Sequence, residues 1–270
     1  MKVVVLTGDE LRHRYFKMRI SQDKRFEVLA SFCESDEKSM LNIVKSNPKY
    51  SEIERLHFYS RKIFENDYFG LALSYMNDSS KSFYLKKGDI NNLDIVNQIK
   101  SHKPDILVCY GSSLIKSNLL DHYKNKFLNV HLGLSPYYRG SGSNIWPLIN
   151  NELDMVGATF MKIDEGIDTG EIIHQIRCDY HLGDGPHSIG NRFITKMTDV
   201  YANIIANFKV LTSEKQPTEK GKLYLRKDFD AEACKKLYEN FSSGIVNNFL
   251  KKMSKMHFKY IVENKGLENK

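Results

Sequence analysis

Val3–Leu6 is an unbroken run of branched apolar residues, entered from Lys2 and left through Thr7-Gly8. A short, uniformly apolar run of this kind predicts a strand buried on both faces, as in a parallel sheet. Asp9 is placed to cap a following helix whose apolar positions include Leu11, Tyr15, Phe16 and Met18. Phe26–Cys33 reads as a second strand and completes a strand–helix–strand unit. The pattern turns polar and largely helical from Ser35 to Phe69, broken at Pro48, and Lys86-Lys87-Gly88-Asp89 reads as a turn. Leu93, Val96 and Ile99 share one face of a short helix that ends near His102. Pro104 then opens another buried strand, Asp105–Tyr110, and Gly111-Ser112-Ser113 leads into a helix.

Phe127–Val130, Met155–Ile163 and Glu171–Cys178 are further strand-like runs. From Pro186 to Leu211 the apolar residues Ile189, Phe193, Ile194, Met197, Val200, Tyr201, Ile204 and Ile205 recur at helical spacing. Gln216–Lys222 is polar and linker-like, Leu223-Tyr224-Leu225 reads as a strand, and Ala231–Glu239 as a helix. Strands alternating with helices predict an α/β fold, a Rossmann-like and mostly parallel sheet. Its expected extent is 1–212, with a short C-terminal extension over 213–270. There Leu237, Tyr238, Phe241, Ile245, Val246, Phe249 and Leu250 form an apolar set that either covers the sheet or meets a partner chain, so a homodimer stays open. Open sheets of this class bind ligands beyond the carboxyl ends of their strands. That directs attention to Gly8–Arg14, Tyr110–Ser113 and Asn129–Gly142.

Composition narrows the classes. The 40 basic residues exceed the 33 acidic ones by 7, with much of the excess in the C-terminal tail. Two readings follow, attraction for an anionic partner or a solvated Lys-rich surface. The tail lysines are not interleaved with Arg, so a nucleic-acid partner is not expected. The 4 cysteines, Cys33, Cys109, Cys178 and Cys234, are far apart and form no CxxC pair. Neither a metal site nor a disulfide framework is expected from them, and three lie in apolar stretches that suit small core residues. The first apolar run is too short for a signal peptide, and no stretch approaches the roughly 18 residues of a membrane span. A cytoplasmic protein is the expectation.

The chemistry concentrates in two stretches, Asn129-Val130-His131-Leu132-Gly133-Leu134-Ser135-Pro136-Tyr137-Tyr138-Arg139-Gly140 and Ile163-Asp164-Glu165-Gly166-Ile167-Asp168-Thr169-Gly170-Glu171. Asn129 and His131, two apart at a strand end, point to the same side. Pro136, Gly140 and Gly142 break the chain into a loop able to line a pocket. Asp168 lies on a loop between two strands. If those strands flank Phe127–Val130, its carboxylate reaches His131 and holds the ring. An amide, an imidazole and a carboxylate suit attack of an amine on an acyl carbon. The first two donate to the developing oxyanion, and the carboxylate helps remove the amine proton, directly or through a water. No Ser or Cys sits at a nucleophile elbow, so a hydrolase triad is not expected.

The pattern NxHxxxxPxYRG at Asn129–Gly140, followed by IDEGIDTGEII from Ile163, resembles the folate-dependent formyltransferase family. That family includes methionyl-tRNA formyltransferase, glycinamide ribonucleotide transformylase and nucleotide-sugar N-formyltransferases. The resemblance covers roughly Lys86 to Leu211, and more loosely the first strand–helix–strand unit. It implies that Asn129, His131 and Asp168 are the catalytic trio. It also implies 10-formyltetrahydrofolate as co-substrate, its pterin held largely by backbone groups. The residues concerned are Leu107, Tyr110, Gly111, Ser112, Leu114, Ile163, Asp164, Glu165 and Gly166.

Departures from the family sort the acceptors. The purine enzyme carries a Gly- and Asn-rich phosphate loop after its first strand, where this chain has Thr7-Gly8-Asp9-Glu10-Leu11-Arg12-His13-Arg14. The tRNA enzyme adds a C-terminal β domain, for which the about fifty residues after Lys220 are too few. The hydrolase of the family adds an N-terminal regulatory domain, and here the core begins at Lys2. The expectation is an amino-sugar N-formyltransferase acting on a nucleotide-linked sugar for surface polysaccharides. A nucleotide-free acidic amino sugar, an RNA-acting enzyme and a non-catalytic folate binder are the alternatives. Candidate acceptor contacts are Arg12, Arg14, Tyr137, Arg139 and Gly140, with His13, Tyr138 and Trp146 beside them. Arg12, His13 and Arg14 either meet an anion near a helix N-terminus or form a solvated helix face.

Overall fold

Residues 1–217 and 221–267 are described by a computed structural model. Strand β1 (Lys2–Gly8) runs through the middle of the molecule, with Val3, Val4, Val5 and Leu6 fully buried. Val3 and Val5 pack with helices α1 (Leu11–Ser21), α3 (Glu52–Tyr75) and α7 (Pro186–Asn207). Val4 and Leu6 pack on the opposite face with α4 (Leu93–Ser101) and α5 (Ser117–Leu120). Both faces need apolar residues because both are covered, which explains the uninterrupted run. Each such side chain contributes roughly 1.5–3 kcal/mol by leaving water.

The main sheet has the order β3 (Ser82–Leu85), β2 (Glu27–Glu34), β1, β4 (Ile106–Tyr110), β5 (Phe127–His131), β7 (Gly157–Lys162), β8 (Ile172–Arg177). The first five strands are mutually parallel, while β5–β7 and β7–β8 are antiparallel. The chain moves from β1 outward to β3, then returns to β4 on the other side of β1. The crevice between the carboxyl ends of β1 and β4 is therefore the switch point of the sheet. A second small sheet pairs β6 (Tyr138–Gly140) with β9 (Lys222–Tyr224) in parallel. One-turn helix α6 (Ile145–Ile149) follows β6, and helices α8 (Ala231–Ser242) and α9 (Ile245–Lys252) close the chain.

Several local details differ from expectation. Asp9 does not cap α1, whose N-cap is Glu10 without a side-chain bond. Its carboxylate instead takes Arg14 Nε and Nη2 at 2.9 and 2.8 Å. The long polar stretch resolves into α2 (Met40–Ser46) and α3, separated around Pro48. Helix α3 starts at a capping box in which Ser51 N donates to Glu54 at 2.9 Å. Strand β3 was not anticipated, because Ser82–Leu85 is a half-exposed edge whose apolar run is only three residues, Phe83-Tyr84-Leu85. Helix α7 stops at Asn207, four residues before the expected end.

The C-terminal apolar set packs on its own chain. Leu237, Ile245, Val246 and Phe249 join the core that α7 lines. All four cysteines are free and buried. No helix among the described residues is long and apolar enough to cross a membrane.

Candidate active site

A cavity of about 840 Å³ runs across the carboxyl ends of β1, β4 and β5. It spans both faces of the sheet edge, from the loops after β4 and β7 on one side to α1, α3 and α7 on the other. Asn129, His131 and Asp168 all line it. Of the two strands expected beside Phe127–Val130, only β7 pairs with β5; β8 lies one strand further out, paired with β7, and the loop between them carries Asp168 to His131.

His131 is 8% exposed and held at both ring nitrogens. Nδ1 lies 3.2 Å from Asp168 Oδ2, and Nε2 lies 3.0 Å from the Tyr138 carbonyl. Both partners are hydrogen-bond acceptors. Asp168 Oδ2 also accepts from the Gly140 N–H at 2.9 Å. Among the described residues no hydrogen bond falls on Oδ1. Asp168 has φ 54°, the left-handed region that costs a non-glycine residue energy. Asn129, half-buried, sits two residues before His131 and faces the same side.

The loop after His131 is braced from below. Thr159 Oγ1 donates to the Gly133 carbonyl at 2.7 Å and accepts from Ser135 N at 2.9 Å. Gln175, 2% exposed, donates to the Ser135 carbonyl at 2.7 Å. Gly140 has φ 87°, and a Cβ there would lie 2.2 Å from the Tyr224 carbonyl oxygen of β9. Gly140→Ala is expected to cost about 1–3 kcal/mol of stability, the scale of a strained backbone site. It should also weaken the Gly140–Asp168 contact. Denaturant unfolding and turnover measured on the same variant check both effects.

The remaining sequence candidates divide. Tyr110, Gly111, Ser112, Leu114, Ile163, Asp164 and Gly166 line the cavity, as do Arg12 and Gly140. Leu107 is fully buried in the core of the α4 face, and Glu165 is exposed outside the lining. Arg14 is exposed and is not among the lining residues, though Asp9, which holds it, is. Tyr137 lies under Lys259, whose Nζ is 5.1 Å from its ring centre. Arg139 Nη2 points to the Gly221 carbonyl at 3.4 Å. Trp146 is buried and stacked on Tyr224 at 4.3 Å.

The lobe toward α1, α3 and α7 is charge-balanced. Arg12 pairs with Glu10 and, at 2.7 Å, with Glu65; Arg61 reaches Glu10 at 3.4 Å and Glu65 at 3.7 Å. Burial alone would raise the Glu10 carboxyl, but Arg12 and Arg61 outweigh it and hold the group at about 2. His13 wedges into the β1–β4 crevice, where Cβ atoms on Gly8 and Gly111 would lie 2.5 and 2.3 Å from its ring. Burial, reinforced by Arg12, pushes its pKa well below the ordinary histidine value. The crevice thus holds a neutral imidazole, and the adjoining arginines are neutralised.

Sequence reasoning missed Glu10, Arg61 and Glu65, and also Glu34. Glu34 is fully buried at the end of β2 and accepts from Ser113 N at 2.6 Å, Gly88 N at 2.8 Å and Lys87 Nζ at 3.0 Å. It ties the loop after β4 to the neighbouring strand. A charged residue closing the apolar end Phe32-Cys33 of the strand was its only signal.

Fold and site together define a Rossmann-like α/β protein whose amide, imidazole and carboxylate converge on one cavity. A sequence model described as formyl transferase matches residues 1–205, and the chain belongs to the formyl transferase family. Curated relatives include methionyl-tRNA formyltransferases. That of Finegoldia magna is 33% identical over 42% of this chain, and that of Geotalea uraniireducens 32% over 52%. These matches cover only 39% and 42% of the relatives' own lengths. Among solved structures, a sugar N-formyltransferase from a Shewanella species aligns with TM-score 0.54 and 19% identity, covering 85% of this chain and 78% of that one. The phosphoribosylglycinamide formyltransferase of Anaplasma phagocytophilum gives 0.55 at 14%, covering 84% and 98%. An N-formyltransferase of Helicobacter canadensis, in complex with folinic acid and dTDP-3-aminofucose, gives 0.52 at 18%, covering 84% and 72%. At these identities the structural matches establish the shared fold.

Proposed function

We propose that this chain transfers the formyl group of 10-formyltetrahydrofolate to the amino group of an amino sugar carried on a nucleotide. The observation that carries the transfer is the Asn129, His131 and Asp168 cluster on a cavity that crosses the sheet edge. The β4 and β7 loops fit a flat pterin, because Leu114, Ile115, Met161 and Ile163 line that side and Glu34 holds the loop in place. When bound there, the folate supplies an electrophilic formyl carbon.

Asn129 donates its amide to the formyl oxygen as negative charge develops on it. His131 shares that charge by exchanging one of its two present contacts for the oxygen, a tightening that substrate binding commonly brings. The acceptor's amine nitrogen bonds to the formyl carbon while the carbon–N10 bond breaks. Asp168 Oδ1 takes the proton the amine releases, and N10 of the departing folate receives one in exchange.

Two features favour a sugar over an RNA acceptor. The arginines of the α1–α3–α7 lobe are matched by Glu10 and Glu65, leaving little positive charge there for a phosphate backbone. Arg–Glu pairs of this kind offer both donors and acceptors to ring hydroxyls. The second reading, methionyl-tRNA, rests on the curated relatives and would place the 3′ end of the tRNA in the same lobe.

Mass spectrometry with 10-formyltetrahydrofolate and a panel of acceptors decides between them. The panel holds dTDP- and UDP-linked amino sugars, free acidic amino sugars and methionyl-tRNA. One added formyl group on a nucleotide-linked sugar is the expected product. Formylation of methionyl-tRNA alone would transfer the assignment to the second reading.

A further inference from the structure

We propose that Gln216, in the polar segment between α7 and β9, is a positioning residue for the Asp168 carboxylate. The inference rests on Asp168 acting in formyl transfer as described above. Gln216 Nε2 donates to the Asp168 carbonyl at 2.9 Å and to the Gly170 carbonyl at 2.8 Å. Two carbonyl acceptors facing one group require the NH₂ end of the amide, which fixes its orientation. The residue it holds is the one with φ 54°. A non-glycine residue keeps that conformation only where its surroundings over-determine it.

The conformation matters because it directs the side chain. From it, Asp168 Oδ2 reaches both His131 Nδ1 and Gly140 N. A relaxed φ would swing the carboxylate away from both. Further contacts hold Gln216 itself in place. Ile172 and Glu214 exchange backbone hydrogen bonds at 2.8 Å, and Ser213 Oγ donates to Glu171 at 2.7 Å. Beyond it, Gly221 N donates to the Pro136 carbonyl at 2.8 Å, and β9 pairs with β6. Thus 213–216 grips the Asp168 loop, while 221–224 grips the loop that supplies the Tyr138 carbonyl to His131. Gln216 touches no reacting atom, and its effect passes through Asp168 and the loop that carries it.

Gln216→Glu is the sharp test, because it keeps the shape and sets a carboxylate against two carbonyls. Its kcat is expected to fall roughly 10- to 100-fold, the scale of a misplacement of about 1 Å. The KM values for 10-formyltetrahydrofolate and for the fastest acceptor of the panel should change less than kcat does, because no group proposed to contact either molecule is replaced. In an Asp168→Asn background the same change should cost nothing further, since both act on one carboxylate. Unchanged kcat, or costs that multiply in the double variant, would overturn the proposal. Gln216→Met serves if the Glu variant does not fold. The imidazole NMR signal of His131 gives a readout free of any acceptor. It should shift in Gln216→Glu as it does in Asp168→Asn, and an unmoved signal also overturns the proposal. Normal turnover in Asp168→Asn alone would instead remove the catalytic reading.

Discussion

Replacing His131 by Ala or Asp168 by Asn is expected to lower turnover by roughly 10²-fold or more, the scale of losing an oxyanion donor or acid–base assistance. Folate binding should change less than turnover, because the pterin is proposed to meet backbone and apolar groups of the two loops rather than either side chain. The two substitutions act differently on the structure. His131→Ala leaves the Tyr138 carbonyl and Asp168 Oδ2 each without the ring between them. Asp168→Asn keeps the volume but can turn an NH₂ group toward the Gly140 N–H, which must then face a donor. Its effect on turnover therefore combines a lost proton acceptor with a loosened loop. Steady-state kinetics with the acceptor identified from the panel, together with fluorescence titration of a folate, separates turnover from binding. Near-normal turnover in either variant would sink the assignment of the cluster.

The central sheet was legible because its chemistry is one-dimensional. Val3–Leu6 and Ile106–Tyr110 are apolar at every position since helices cover both faces, and such runs need no partner to be recognised. The Asn129–His131 pair was legible because the i, i+2 spacing of a strand is fixed by its pleat. Other features were invisible because they depend on which loops meet. Strand β6 at Tyr138–Gly140 exists only because β9 arrives alongside it from some eighty residues away in the chain. Gln216 read as a linker residue, and its two acceptors lie on a loop whose proximity comes from the β7–β8 hairpin. Arg12 read as either an anion contact or part of a solvated helix face; its pairing with Glu65, 53 residues further on, belonged to neither reading. A charge in sequence is only half of an electrostatic statement, and the other half is a tertiary contact. The capping box Ser51–Glu54 is a different case, for its S-x-x-E signal was present in the chain.

The second large effect concerns acid. His57 lies in α3, and its Nδ1 meets Tyr238 Oη of α8 at 2.9 Å; His187 at the start of α7 meets the same hydroxyl at 3.3 Å. Burial pushes His57 down to about 3 and His187 down to about 4. In the unfolded chain both titrate near the ordinary value of about 6.5. Below that pH the unfolded state binds more protons than the folded one, so stability falls as pH falls. Above it both states are neutral, and the histidines contribute nothing to the pH dependence. Each histidine costs about 1.4 kcal/mol per pH unit in this window, so the pair removes about 4 kcal/mol by pH 5. That is a large share of the roughly 5–15 kcal/mol that stabilises a domain. His13 acts in the same direction, its pKa lowered by burial, and so does Glu10, whose ion pairs are lost as it protonates at lower pH still. His57→Phe should remove one share. A phenyl ring suits the site, because Phe58 and Phe229 already pack there with ring centres 5.0 and 4.9 Å from the imidazole. The variant loses the Tyr238 contact at neutral pH but should show a slope of unfolding free energy against pH that is shallower by about 1.4 kcal/mol per unit between pH 6.5 and 5. Urea unfolding across that range gives the slope directly. An unchanged slope would mean that His57 takes up its proton without opening the α3–α7–α8 junction.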